Sequence, residues 1–238
     1  MNDFDGLPPT LTREAQTVSD VWMVFLVGAV LVLALVTALV LYVSIRFRRR
    51  SEALPPQKHY NIPVEVFYTA VPLLVVVGLF WITIASLSSI TDEVDDPDIV
   101  VDVIAYQWQW EFIYPDEGIV VRADAQTDPE LVLPADSTVR FRMVSRDVIH
   151  SFWIPGFLFK RDIFPDRTTT FDVELLDETG VWRDGACAEF CGFYHEEMGF
   201  SLRVVTPADF ESWVASGGVP FEPGAEADAD ADAGADAS

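Results

Sequence analysis

Lysine, cysteine and histidine are all scarce in this 238-residue chain, which holds two, two and three of them. No C-x-x-C-H occurs, and that excludes a covalently attached c-type haem domain. The start, MNDFDGLPPT, has no basic residue, and the apolar run that follows is too long for an h-region, so a cleaved secretory leader is not the expected reading. Charge is missing altogether from residues 21–45 and 66–90, and each run exceeds the roughly 20 residues that a helix needs to cross a bilayer. Both are expected to be transmembrane helices. Residues 46–65 between them carry Arg46, Arg48, Arg49, Arg50 and Lys58, whereas residues 1–20 hold Arg13 against four acids. The positive-inside rule then predicts a plasma-membrane protein with a cytoplasmic loop at 46–65 and with residues 1–20 and both termini outside.

Basic residues are few beyond the helices as well. Residues 91–220 hold 26 acids against nine Lys or Arg, a net charge near −17. Such a surface repels nucleic acid and anionic lipid headgroups. It fits either an acidic docking face for a basic partner or a general adaptation to concentrated salt. Two lysines among fifteen basic residues, with acids in every loop, favour the second and point to a halophile, expected to be an archaeon. Residues 221–238 run into an Ala/Asp repeat with nothing bulky to bury, and are expected to be a disordered acidic tail.

Between residues 99 and 206 the apolar pattern becomes short and alternating, as in Thr138-Val139-Arg140-Phe141-Arg142-Met143-Val144. Period two predicts half-buried strands there and at 99–106, 168–176, 180–188 and 199–206, separated by Asp, Pro and Gly turns. This spacing indicates a small antiparallel sandwich or barrel over residues 91–220. Thr206, Pro207 and Asp209 announce a short helix that caps it.

Both cysteines fall in residues 187–200, CAEFCGFYHEEMGF, with one of the three histidines and one of the four methionines. A disulfide is the ordinary expectation for two cysteines outside the cell. The spacing Cys187-x3-Cys191-x3-His195-x2-Met198 instead puts two thiolates, an imidazole and a thioether in one loop between strands. Soft sulfur with imidazole selects copper, whereas a zinc site has little use for methionine. Two thiolates invite two bridged copper ions, and each ion needs an imidazole. His59 lies in the loop expected on the cytoplasmic side, which leaves His150 as the second, or else as a core histidine bonded to the backbone.

The motif C-x-E-x-C-G-x-x-H-x-x-M, with His150 upstream, closely resembles subunit II of the haem-copper cytochrome c oxidases over residues 20–215. The resemblance implies a two-helix transmembrane hairpin followed by an all-β cupredoxin-like Greek-key barrel that carries the dinuclear copper centre CuA. Its ligands would be His150, Cys187, the backbone carbonyl of Glu189, Cys191, His195 and Met198. Two bridging thiolates spread one electron over two metals, so bond lengths change little on reduction, and such a centre is a relay rather than a site of oxygen chemistry. The Glu189 side chain would help hold magnesium at the interface with subunit I, and Lys160, Asp162, Pro165 and Arg167 resemble a segment facing that subunit, with Asp166 where the family has glycine.

The segment Gln107-Trp108-Gln109-Trp110 resembles the family's Q-W-x-W motif, which makes Trp108 the point where electrons arrive from a soluble donor. Gln109 stands where the family often has tyrosine. In molar salt the Debye length is only about 3 Å, so a short-range apolar patch around Trp108 is the expected docking surface, for a cytochrome c or a small blue copper protein. Glu65, seven residues before Pro72, matches a family glutamate at the entrance of a proton path into subunit I; on the residues alone it is a charge at the headgroups. The resemblance thus implies the electron-accepting subunit of a proton-pumping terminal oxidase, with the CuA subunit of a nitric oxide reductase and a membrane-tethered copper carrier as alternatives.

Overall fold

A computed structural model of the chain describes residues 6–49, 58–123 and 128–221. Apart from Phe221, the segment expected to be a disordered tail lies outside the described residues, as do Arg50 and the positions up to 57. The chain divides into two compact units, one of residues 18–90 and one that joins the residues before 18 to those from 91 onward.

Both charge-free runs are helical, within α1 (Arg13–Arg46) and α2 (Ile62–Thr91). α1 begins eight residues ahead of its apolar run because the Thr12 hydroxyl caps it, accepting the Ala15 N–H at 3.0 Å. At about 1.5 Å per residue each helix outspans a hydrocarbon core of roughly 30 Å. Their apolar side chains are bare within the unit, with none of the most apolar window buried, which is the surface that lipid covers. α2 starts with Glu65 accepting the Asn61 N–H at 2.9 Å and contains Pro72, which withholds one helical donor.

Among the described residues, the second unit has ten strands. One sheet runs β3 (Ile119–Arg122), β2 (Gln109–Tyr114), β1 (Ile99–Tyr106), β5 (Thr138–Ser145) and β8 (Thr169–Glu174). The other runs β4 (Glu130–Pro134), β10 (Gly199–Val205), β9 (Gly180–Cys187), β6 (His150–Ile154) and β7 (Phe159–Ile163). Alternation does what period two demands: in β1 every second residue is buried. Phe112, Phe141, Phe152 and Phe200 fill the interior, with Phe152 stacked on Phe200 at 5.0 Å and Phe141 on Phe171 at 4.9 Å. The expected strands are present: β1 keeps its bounds, β5 runs one residue further, and β8, β9 and β10 are shorter by one or two residues at an end. The arrangement is not purely antiparallel: β1 pairs β5 and β4 pairs β10 in parallel, which local patterning cannot reveal.

α3 (Pro207–Ala215) is the expected capping helix. Thr206 caps its first turn and Phe210 and Trp213 are buried, with Trp213 edge-on to Tyr114 at 5.2 Å. A division of the chain at residue 91 omits one piece of this unit. Leu11 is 2% exposed, its N–H donates to the Gly156 carbonyl at 2.9 Å, and Thr12 bridges Leu175. A Cβ on Gly156 would lie 2.6 Å from Leu11, so this close approach requires glycine.

Candidate metal centre

Three connections emerge at one end of the sheets. Residues 107 and 108 turn β1 into β2, residues 146–149 lead from β5 into β6, and residues 188–198 link β9 to β10. β6 opens with His150 and β9 closes with Cys187, and their ladder pairs Phe152 with Cys187. The Ala188 N–H donates to the Ser151 carbonyl at 2.9 Å and the Cys187 N–H to the Met198 carbonyl at 3.0 Å, which ties both ends of the long loop to the sheet.

This scaffold brings together the six expected ligand groups. Cys187 Sγ lies 3.8 Å from His150 Nδ1, 3.9 Å from Cys191 Sγ and 3.2 Å from the Glu189 carbonyl oxygen. Cys191 Sγ lies 3.6 Å from His195 Nδ1 and 3.8 Å from Met198 Sδ. His150, Cys187 and Cys191 offer ligand atoms that all lie within 4.8 Å of one another. Both cysteines are free thiols, so the expected alternative of a disulfide is not what this geometry contains. His150, Cys187, Cys191 and Met198 are buried and His195 is half-buried, while the Glu189 side chain points to an exposed surface.

The electrostatics of the thiol pair call for a cation. Burial raises the Cys187 thiol, but hydrogen bonding to His150 and to the Ser151 and Glu189 main chain outweighs it and brings the group down to about 7. Cys191 is pushed up to about 12 by burial and by the neighbouring Cys187 thiolate. One thiolate therefore forms readily and opposes the second. With the sulfur atoms 3.9 Å apart, a soft cation at the pair would relieve that opposition.

Asp147 braces the buried imidazole, with Oδ1 2.9 Å from His150 Nε2, and it also accepts the N–H groups of Gln107 at 2.7 Å and Val148 at 2.6 Å. Burial raises its carboxyl, and these three donors outweigh burial and hold it below the ordinary range. Burial disfavours a charged His150, yet its contacts with Cys187 and Asp147 raise its pKa overall. With Nε2 engaged by the carboxylate, Nδ1 is the nitrogen turned to sulfur, the usual division of labour in a carboxylate-braced metal histidine.

Trp108 is half-buried beside the loop, edge-on to Tyr194 at 4.9 Å, and Phe190 and Phe193 are 77% and 83% exposed on the same loop. Gln109 and Glu197 line the same shallow hollow as Trp108 and Tyr194, so the surface at the expected point of electron arrival mixes aromatic and polar groups. Trp110 is fully buried below it and donates to the Met198 carbonyl at 3.3 Å. Asp147 is passed over by motif reading, and Gln107 and Trp110 enter it as positions of the Q-W-x-W motif with no role of their own. Lys160 and Asp162 stand on β7, where Asp162 pairs with Ser151, the residue after His150, and Arg167 lies in the turn after it; Lys160 is over Trp153 at 5.3 Å and Arg167 over Phe164 at 3.6 Å. Glu65 belongs to the helical unit, where its contact is the cap on α2, and His59 stands just before that helix.

The chain is similar to known proteins along most of its length. Residues 6–88 match the family model for the transmembrane domain of cytochrome C oxidase subunit II, and residues 123–205 the model for its periplasmic domain. A probable cytochrome c oxidase subunit 2 of Streptomyces avermitilis is 34% identical over 247 residues, covering 87% of this chain and 76% of the relative. Cytochrome c oxidase subunit 2 of Mycobacterium tuberculosis is 30% identical over 268 residues, covering 88% and 74%. Among solved structures, the periplasmic domain of subunit II of cytochrome oxidase of Bradyrhizobium japonicum is 30% identical, with a TM-score of 0.47, over 52% of this chain and 96% of that one.

Proposed function

The chain belongs to the cytochrome c oxidase subunit II family, and from that membership we propose that His150, Cys187, Cys191, His195, Met198 and the Glu189 carbonyl hold a dinuclear copper centre of the CuA kind. The family makes it a membrane-anchored, copper-binding subunit of an oxidoreductase complex, the haem-copper oxidase, with subunit I as its partner. When bound, the copper pair supplies a one-electron relay between a soluble donor and the haem of subunit I, where dioxygen is reduced and protons are pumped. The observation that carries the reading is the convergence of two buried thiols, two imidazole Nδ1 atoms and a thioether sulfur in steps of 3.6 to 3.9 Å.

The protein's own contribution is placement. Cys187 and Cys191 bind as thiolates, His150 is oriented by Asp147, and the packed strands exclude water from the inner ligands. A preformed, rigid ligand set loses little to rearrangement when its charge changes. Trp108, behind the exposed rings of Phe193 and Tyr194, receives the donor, which is a cytochrome c or a small blue copper protein docking by apolar contact. The exposed Glu189 carboxylate offers itself to magnesium shared with subunit I. Glu65 takes protons from the cytoplasm, and Glu65→Gln slows turnover while leaving the copper spectrum intact. The sidedness follows from the arginine-rich 46–65 loop inside, and it is supported by the packing of Leu11 and Thr12 into the β unit, because both pieces of that unit must then lie on one side of the membrane. The acidic surface is that of a halophile.

The reductase and carrier alternatives are not favoured. The relatives carry the oxidase name, and four ligand side chains are buried, whereas a carrier needs an open set. Oxygen consumption by the purified complex with a soluble donor tests the reading: Cys191→Ser takes it to background with haem content unchanged. Donor-driven oxygen consumption that survives the substitution contradicts the relay, and reduction of nitric oxide in place of oxygen moves the assignment to the reductase.

A further inference from the structure

The ligands of the copper site fall into two halves that are held differently. His150 and Cys187 sit on β6 and β9, next to a ladder of main-chain hydrogen bonds that fixes their separation. Cys191 and His195 lie beyond the end of that ladder, in a loop whose backbone has left the sheet. Something must fix the distance between the two halves if both thiolates are to face the same metals.

One side chain spans them. Gln107 Nε2 donates to the Cys191 carbonyl at 2.6 Å, while the Gln107 main-chain N–H donates to Asp147 Oδ2 at 2.7 Å. Asp147 in turn holds His150 through Oδ1. A single residue on the β1–β2 turn is thus bonded to the outer cysteine's own peptide and, through one carboxylate, to the inner histidine. Gly192 lets the two approach: its φ is +127°, and a Cβ there would stand 3.0 Å from Gln107 Nε2 and 3.2 Å from the Trp108 ring.

We propose that Gln107 is a positioning residue for the copper pair, setting the outer half of the site against the inner half through the Cys191 carbonyl on one side and Asp147 on the other. The inference rests on the copper reading above and concerns a residue that touches no metal. Outer groups that orient ligands change metal affinity by about 10- to 100-fold when removed, and an amide that has lost its acceptor-side anchor leaves the loop free to move by the few tenths of an ångström that unequal metal sharing needs. Because Gln107 precedes Trp108 directly, the same bond also fixes the indole at the loop.

The test uses the full-length chain, copper-loaded in detergent, as wild type, Gln107→Met, Gln107→Glu and Asp147→Asn. Met keeps the length of the side chain without a donor, and Glu keeps its shape while turning an acceptor toward the Cys191 carbonyl. Copper release to an excess of chelator and the hyperfine splitting in the electron paramagnetic resonance spectrum are read on each, with the melting temperature of the copper-free chain as control. Expected are release about tenfold faster or more in both Gln107 variants and splitting that becomes unequal between the two nuclei, with the melting temperature nearly unmoved. Where Gln107→Met does not fold, Gln107→Glu carries the comparison. Wild-type release and splitting in a folded Gln107 variant overturn the positioning role while leaving the copper reading intact. A wild-type chain that takes up one copper or none overturns the copper reading itself.

Discussion

The inner half of the site, His150 with Cys187, is carboxylate-braced and continuous with the β6–β9 ladder, whereas the outer half, Cys191 with His195 and Met198, is carried by a loop edged by exposed aromatic rings, although Cys191 and Met198 are buried as deeply as Cys187 and only His195 is half-exposed. The contrast follows from two demands on one centre. The proposed relay would have to be rigid, and one side of it is fixed by strands. It would also have to be approachable where a donor docks, and there the loop that leaves the sheet exposes Phe190 and Phe193 while Cys191 and Met198 stay buried beneath. The loop is kept in place by point contacts, the Gln107 amide on the Cys191 carbonyl and the Trp110 indole on the Met198 carbonyl, where the inner half has a ladder.

The largest test of that contrast removes a thiol from either half. Cys187→Ser and Cys191→Ser are both expected to abolish the dinuclear copper signal and electron uptake from the donor, because in the proposed centre each thiolate would be needed by both metals; retention of two coppers in either variant breaks the account. Next in size is Gly192→Ala. A φ of +127° is closed to alanine, and the added Cβ would press on Gln107 and Trp108, so a loss of about 1–3 kcal/mol is expected. Thermal unfolding checks the cost, and tryptophan fluorescence reports the displaced indole. Unchanged values would mean that the outer loop is not held where these contacts put it.

A smaller, pH-dependent effect belongs to the inner side. Glu111 is 2% exposed and bonded to Arg122 and to Arg146, the residue just before Asp147. The hydrogen bond from Arg122 is the main reason that its carboxyl is held below the usual range, against the opposing effect of burial. A carboxylate depressed in the folded state stabilises above its unfolded pKa, near 4.3, and that stabilisation is lost as pH falls through the folded value. Below about pH 4 the wild-type chain is therefore expected to lose melting temperature more steeply than Glu111→Gln. Parallel acid limbs in the two proteins would remove Glu111 from the bracing of the inner half.

The two halves were also unequally legible in the sequence. The candidate ligands were readable, since C-x-E-x-C-G-x-x-H-x-x-M packs soft donors at fixed spacing and His150 is the one upstream histidine outside the loop expected in the cytoplasm. The helices were readable because no charge interrupts 25 residues, yet the start of α1 at Arg13 depends on the Thr12 cap and on Leu11 docking into the β unit, a contact with residues more than 140 positions away. What holds the site was invisible for the same reason. Gln107 reaches Asp147 across 40 residues and Cys191 across 84, and neither separation leaves a local pattern. The parallel pairing of β1 with β5 and of β4 with β10 was hidden likewise, because alternation reports which face of a strand is buried and not which neighbour it has.

The central claim is that both thiolates are shared by two metals. Copper stoichiometry together with the electron paramagnetic resonance spectrum of the purified, copper-loaded chain reads this directly. Two coppers per chain, with one unpaired electron split equally by two copper nuclei, is the result that the geometry of Cys187 and Cys191 predicts. A single copper with a mononuclear spectrum, or a metal-free chain with Cys187 and Cys191 joined in a disulfide, would contradict it.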